Sequence, residues 1–287
     1  MVGCILLLMQ VNQKISFFVT IAIIVTGCAT SPNSQLVGPG DGIVVGQASS
    51  IRHIVPAKDL ENAAKKEYEK IKERAKEKKE LASNNNPTLK RLIEIAKKLE
   101  PHTVAWNPDS SSWNWEVILI KSDSLNAFCF PGGKIAFFSG IIEKLELTDD
   151  EIAMIMGHEM AHALREHARS RIAKAQLTDL GVDLLSSVIG LNQSERKLMG
   201  FGRQLVSLKF SRIDETDADL VGLDIAARGG FNPSAGISLW KKMQNANKNS
   251  PPEWLSTHPS GDNRINEISK NLPKVIPLFK KSIKSAN

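Results

Sequence analysis

The sequence predicts an α+β fold that is mostly helical, with a small, mostly antiparallel sheet packed on a helix carrying His158-Glu159-Met160-Ala161-His162. Three observations support this. Helical apolar spacing recurs on both sides of a few short β-prone runs. Those runs are confined to residues 113–138. A capping box, Thr148 with Glu151, opens the helix that holds the paired histidines. With 42% hydrophobic residues in 287, the chain can bury the core of one domain plus an extension.

From the amino end, Lys14 precedes an apolar run, Ile15 to Val25, too short for a bilayer span of about 20 residues. It reads as the core of a signal peptide over residues 1–27, with Met9 an alternative start to Met1. Val25-Thr26-Gly27-Cys28 resembles a lipobox, in which the chain is cut before Cys28 and that cysteine is acylated. An uncleaved anchor is the alternative. Residues 28–57, rich in Ser, Gly and Pro between Ser31 and Ser50, read as a tether. Residues 58–100 read as a helical extension. In Lys58–Glu80, Leu60, Ala64, Tyr68, Ile71 and Ala75 form a narrow stripe on a charged helix, packed by one edge rather than laid on lipid head groups. Ser83-Asn84-Asn85-Asn86-Pro87 separates it from a second helix at Thr88–Leu99.

Residues 101–287 form the main domain. Trp113–Lys121, Asn126–Phe130 and Lys134–Phe138 read as strands, the last pair joined by the Pro131-Gly132-Gly133 turn. Either Asn126–Phe130 or the Lys134 strand is the expected edge for an added peptide strand, with Asn126, Ala127 and Phe128 the candidate contacts. Cys129 reads as a small buried hydrophobe. After Thr148, apolar residues at Ile152, Ile155, Met156, Met160, Ala163 and Leu164 keep helical spacing. Leu177–Arg203, with glycines around apolar residues, reads equally as a mobile lid or an ordinary connection.

His158 and His162 are i, i+4 on a helix, so both imidazoles reach one metal ion. Glu159 lies beside that ion, placed to take a proton from water. Zinc peptidases need three protein ligands and an open position. The extended three-histidine form is absent, because Arg165 replaces its glycine and Ala168 its third histidine. His167 comes one residue early and reads as a surface histidine. The remaining option is a carboxylate from a second helix. Glu215 and Asp219, i, i+4 within Ser211–Asp219, share a face. Glu215 supplies the third zinc ligand, and Asp219 accepts the free ring N–H of a ligand histidine. Asp214 and Asp217 read as solvated. The expected cofactor is one Zn2+ per chain. For the oxyanion of a tetrahedral intermediate, His258 and Arg264 are candidates and Arg212 a weaker one. His258 has a second reading: its Pro-flanked loop closes over the site and its imidazole takes the fourth zinc position, holding the enzyme latent.

Several motifs in order carry a family resemblance: Asn126-Ala127-Phe128 with Pro131-Gly132-Gly133, Gly140, the H-E-x-x-H segment, Ser211-Arg212 with Glu215, Ala218-Asp219, and Thr257-His258-Pro259 with Arg264. Together they resemble gluzincin metallopeptidases of the HtpX and CAAX-prenyl-protease type, in particular their periplasmic bacterial lipoprotein members. The resemblance implies a zincin-like fold for residues 101–287. It departs in topology, since those enzymes are integral to the membrane and this chain shows no internal span. Ala29 after Cys28 suggests, by the same resemblance, the periplasmic side of the outer membrane.

The expected function is therefore a lipid-anchored zinc endopeptidase that hydrolyses misfolded or misassembled envelope proteins. Its expected partners are polypeptide substrates, the membrane through the anchor, and envelope assembly machinery. The alternative is a non-enzymatic, chaperone-like or assembly-factor lipoprotein with a structural metal. Glu159 and an apparent ligand count of three favour the enzyme. The balance of 37 Lys+Arg against 31 Asp+Glu is only modestly basic, and sparse aromatics without a binding motif exclude nucleic acid.

Overall fold

The computed structural model describes residues 36–186, 205, 208–249, 252–259 and 263–285. The stretch expected to be a signal peptide, Cys28 and most of the Leu177–Arg203 segment lie outside these residues. Its elements are α1 (Ala57–Glu77), α2 (Pro87–Leu99), β1 (Glu116–Ile120), β2 (Ala127–Phe130), β3 (Lys134–Phe138), α3 (Ser139–Lys144), α4 (Asp149–Leu164), α5 (His167–Ser186), α6 (Arg212–Arg228), α7 (Ala235–Asn249), α8 (Glu253–Thr257) and α9 (Arg264–Ser285). No helix among the described residues is long and apolar enough to cross a membrane.

The sheet has three strands in the order β1-β3-β2, and it is mixed rather than mostly antiparallel. β2 and β3 form the antiparallel hairpin, with Cys129 opposite Ile135. Gly132 and Gly133 turn it at φ 84° and 77°, a region that favours glycine. β1 pairs with β3 in parallel, Val117 opposite Ile135. The reason is the connection over residues 121–126, which carries the chain past the β3 position to the far margin. β3 then inserts between, running the same way as β1. The outer side of β1 is partly covered, since Ala82 N–H donates to Leu119 O at 2.9 Å and Lys121 N–H to Glu80 O at 2.7 Å. The Lys134 strand is central, so of the two expected edges only Asn126–Phe130 lies at a margin.

α4 is the core of the molecule. Glu151 through Leu164 are all buried, the pattern of a helix covered on every side. α4 and α6 approach at a glycine pair: a Cβ on Gly157 would stand 2.7 Å from Gly222 O, and one on Gly222 2.6 Å from His158 N. Only glycines allow that separation, which brings the acidic face of α6 against the histidine face of α4.

Two expected boundaries move. Leu89, Leu92, Ile95 and Leu99 of α2 belong to the same apolar cluster as α4, so α2 is part of the main body and not of an extension. Residues 37–56 are a packed strap rather than a tether. Val37 and Val45 bridge each other, Ile43 is fully buried, and its N–H donates to Asp224 Oδ2 at 3.1 Å. Arg52 Nε binds Glu166 Oε2 at 2.7 Å. The Ser, Gly and Pro content marked this stretch as loose, but its few apolar residues are the ones that bury. α1 lies on the sheet by the stripe expected of it: Leu60, Ala64 and Tyr68 are buried, and the Tyr68 hydroxyl donates to Ile135 O at 2.9 Å. Cys129 is a buried free thiol.

Candidate metal centre

α4 supplies the first two groups of the site. Its Thr148–Glu151 capping box starts the helix, and the i, i+4 spacing then aims the Nε2 atoms of His158 and His162 at one point, 3.0 Å apart. α6 starts on a second capping box, Ser211 with Asp214, so Asp214 is a cap rather than a solvated side chain. That start sets Glu215 across from the histidines, with Oε1 3.4 Å from His162 Nε2 and Oε2 3.5 Å from His158 Nε2. A fourth group comes from beyond α8. His258 Nδ1 lies 3.2 Å from His158 Nε2 and 3.1 Å from Glu215 Oε1.

The ligand atoms of His158, His162, Glu215 and His258 all lie within 4.8 Å of one another, and all four residues are buried. Four ligands about 2.1 Å from a tetrahedral metal ion stand roughly 3.4 Å apart, close to these contacts. The atoms present lone pairs to a common centre, an arrangement a cation satisfies and a set of shared protons satisfies only in part. The residues fit a metal ion.

The electrostatics suit the same occupant. Burial, with the neighbouring His158 and His167 adding to it, pushes His162 well below the ordinary histidine range, so it stays neutral and able to ligate. Burial would raise Glu215, but its contacts with His162, His258 and His158 hold it far below the carboxylate range. His258 is raised: burial lowers it, and Glu159 and Glu215 outweigh that.

Each helix-borne histidine has its own support. Asp219 Oδ1 stands 3.0 Å from His158 Nδ1. Burial would raise Asp219, but Arg264 and His158 hold it lowered. Arg264 serves here and not at an oxyanion. Its Nε and Nη2 bind Asp219 at 2.6 and 2.5 Å, its Nη1 binds Glu215 Oε2 at 2.6 Å, and its guanidinium lies 3.8 Å over the Trp240 ring. All three nitrogens are engaged by the Asp219 and Glu215 carboxylates. On the other side His167 is buried, not on the surface, with Nδ1 3.0 Å from His162 Nδ1 and Nε2 2.9 Å from Asp217 Oδ2. Asp217 also accepts from Arg165 Nε at 2.7 Å, so it is paired rather than solvated. Arg212 is exposed at the start of α6.

Glu159 is buried beside this cluster. Its Oε1 accepts from Trp254 Nε1 at 2.6 Å, and His258 Nε2 stands 3.5 Å away. A cleft beside Glu159, His162 and His258 is lined by Asn126, Ala127 and Phe128.

The profile of peptidase family M48 matches residues 87–272, from α2 into α9, and takes in every group just described. The chain belongs to peptidase family M48. Among its M48 relatives, it is 36% identical over 181 residues to mitochondrial metalloendopeptidase OMA1 of Saccharomyces cerevisiae, covering 61% of this chain and 51% of the relative. It is 26% identical over 182 residues to the beta-barrel assembly-enhancing protease of Yersinia pestis, covering 60% and 37%. Over 251 residues it is 26% identical to metalloprotease LoiP of Escherichia coli, covering 87% and 92%. The chain thus spans about half or less of the length of the OMA1 proteins it matches.

Three residues packed around the cluster escaped the sequence reading: His167, Asp217 and Trp254. Trp254 carried a usable signal. It stands four residues before His258, and the two rings stack at 4.6 Å. His167 and Asp217 carried none until α4, α5 and α6 are placed together.

Proposed function

We propose that this M48 chain is a zinc-dependent metalloendopeptidase, anchored as a lipoprotein through Cys28 on the periplasmic side of the outer membrane, that cleaves misfolded or misassembled envelope proteins. The observation that carries the enzymatic reading is the convergence of His158, His162 and Glu215 next to a buried Glu159. Zinc, when bound there, polarises a scissile carbonyl and lowers the pKa of water. Glu159 takes the proton from the attacking water and delivers it to the leaving amine. Asp219 and Arg264 hold His158 and Glu215 in place. Asn126, Ala127 and Phe128, at the sheet margin beside the cleft, receive the substrate backbone as an added strand.

His258 would hold the metal as a fourth group in a closed form. While it sits in the cluster, α8 covers the base through Trp254. Opening this segment uncovers Glu159 and withdraws His258 from the place it would hold on the metal. Support for the envelope comes from Val25-Thr26-Gly27-Cys28 and from similarity to a relative named for beta-barrel assembly.

Closure by four groups also favours a second reading, a chaperone-like lipoprotein with a structural metal, because structural sites are normally four-coordinate. Glu159→Gln separates the two. It should keep zinc and fold and abolish casein cleavage. Equal cleavage by the variant would sink the protease mechanism.

A further inference from the structure

We infer that His167 is a positioning residue for His162, acting through a directed hydrogen-bond chain that ends on Asp217. The inference rests on reading His158, His162 and Glu215 as zinc ligands. Asp217 Oδ2 accepts from the guanidinium Nε of Arg165 at 2.7 Å, the charge-assisted pairing of an ionised carboxylate. An ionised Asp217 only accepts, so His167 Nε2, 2.9 Å away, carries the proton and donates. The Nδ1 of a neutral His167 is then an acceptor. Facing it at 3.0 Å, His162 Nδ1 is the donor. That leaves the lone pair of His162 on Nε2, the atom turned toward His158 and Glu215.

The chain therefore sets the tautomer of His162 as well as its ring orientation. It is anchored at its far end, since Arg165 Nε donates to Asp217 at 2.7 Å and Arg165 Nη2 donates to Gly46 O. The two helix-borne ligands are thus supported alike, each by a buried or half-buried Asp paired with an Arg. His158 reaches its aspartate directly, whereas His162 needs an imidazole between. The Phe210 ring, 3.9 Å from the His162 ring, closes the remaining side.

The test is Zn2+ affinity of the full chain, measured by competition against a chelating dye, with the visible spectrum of the Co2+-loaded protein as a second readout. Losing such a support typically costs ten- to hundred-fold in metal affinity. His167→Phe should lose affinity on that scale and shift the Co2+ spectrum. His167→Asn, whose carbonyl oxygen replaces Nδ1 as acceptor, should recover much of the affinity. Asp217→Asn should weaken binding in the same direction, and it decides the matter if His167→Phe fails to fold. Wild-type affinity and spectrum in His167→Phe, or in Asp217→Asn where that variant decides, would overturn the inference and leave the zinc reading standing. If wild type binds Zn2+ no better than His158→Ala, both readings fall.

Discussion

Trp254 Nε1 stands 2.6 Å from Oε1 of Glu159, so the proposed general base is already engaged by a donor from α8. A hydrogen bond to a charged group is worth about 1.5–3 kcal/mol, and 1.4 kcal/mol is roughly a tenfold change in an equilibrium. Trp254→Phe removes that donor and keeps an aromatic ring in place. Casein cleavage per bound zinc should rise several-fold. A rate at or below wild type would show that the contact belongs to the working geometry rather than to a closed form.

His258 gives the partner experiment. His258→Ala opens the fourth position but leaves His158, His162 and Glu215 untouched. Zinc content should stay near one per chain, and cleavage should not collapse. A loss as severe as that of Glu159→Gln, with zinc unchanged, would count against latency and favour a direct catalytic part for His258.

Acid should weaken the start of α4. Glu151 accepts from Ser238 at 2.6 Å, from Lys242 at 2.7 Å and from Thr148 N–H at 3.0 Å. Burial alone would raise this carboxyl, but those three partners hold it below its ordinary 4.5. A depressed carboxylate adds stability above its unfolded pKa and loses it as pH falls through the folded value. Glu151→Gln should therefore lower the Tm of the metal-free chain at pH 7, by roughly 2–4 °C for each kcal/mol lost. The gap from wild type should narrow as pH falls below the ordinary 4.5 and through the lowered folded value. A pH-independent gap would show that the loss is one of packing.

Metal removal should be visible in stability as well as activity. Zinc at a hundred times its Kd stabilises the folded chain by about 2.7 kcal/mol. A chelator should lower the Tm of wild type and of Glu159→Gln alike, and leave that of His158→Ala unchanged. A chelator-sensitive Tm in His158→Ala would place the ion elsewhere.

The α4–α6 separation is testable at one atom. An alanine at position 157 puts its Cβ 2.7 Å from Gly222 O, which is backbone and can yield only by moving α6. Overpacking of this kind costs about 1–3 kcal/mol. Gly157→Ala should lower the Tm and weaken Zn2+ binding together, because the displaced helix carries Glu215. Unchanged zinc affinity would show that α6 absorbs the shift without moving its first turn.

Much of this was legible in the sequence because the relevant signals are local. The Thr148–Glu151 capping box, i, i+4 spacing and the Pro131-Gly132-Gly133 turn are set by neighbours along the chain, and they located α4, α6 and the β2–β3 hairpin. What failed depended on distant packing. The parallel β1–β3 pair follows from where a short connection lands. His167 and Asp217 read as free polar residues, and Arg264 as an oxyanion candidate, because their partners lie 5–50, 50–52 and 45–106 positions away. Burial of the strap depends on Ile43, Val45 and Val55, a handful of apolar residues in a composition typical of linkers.

The strap has a mechanical meaning. It grips α6 where Ile43 N–H meets Asp224, and grips the α4–α5 junction where Arg165 reaches Gly46. Arg165 in turn holds Asp217. A single run of hydrogen bonds therefore joins the strap at Gly46, through Arg165, Asp217 and His167, to the imidazole of His162.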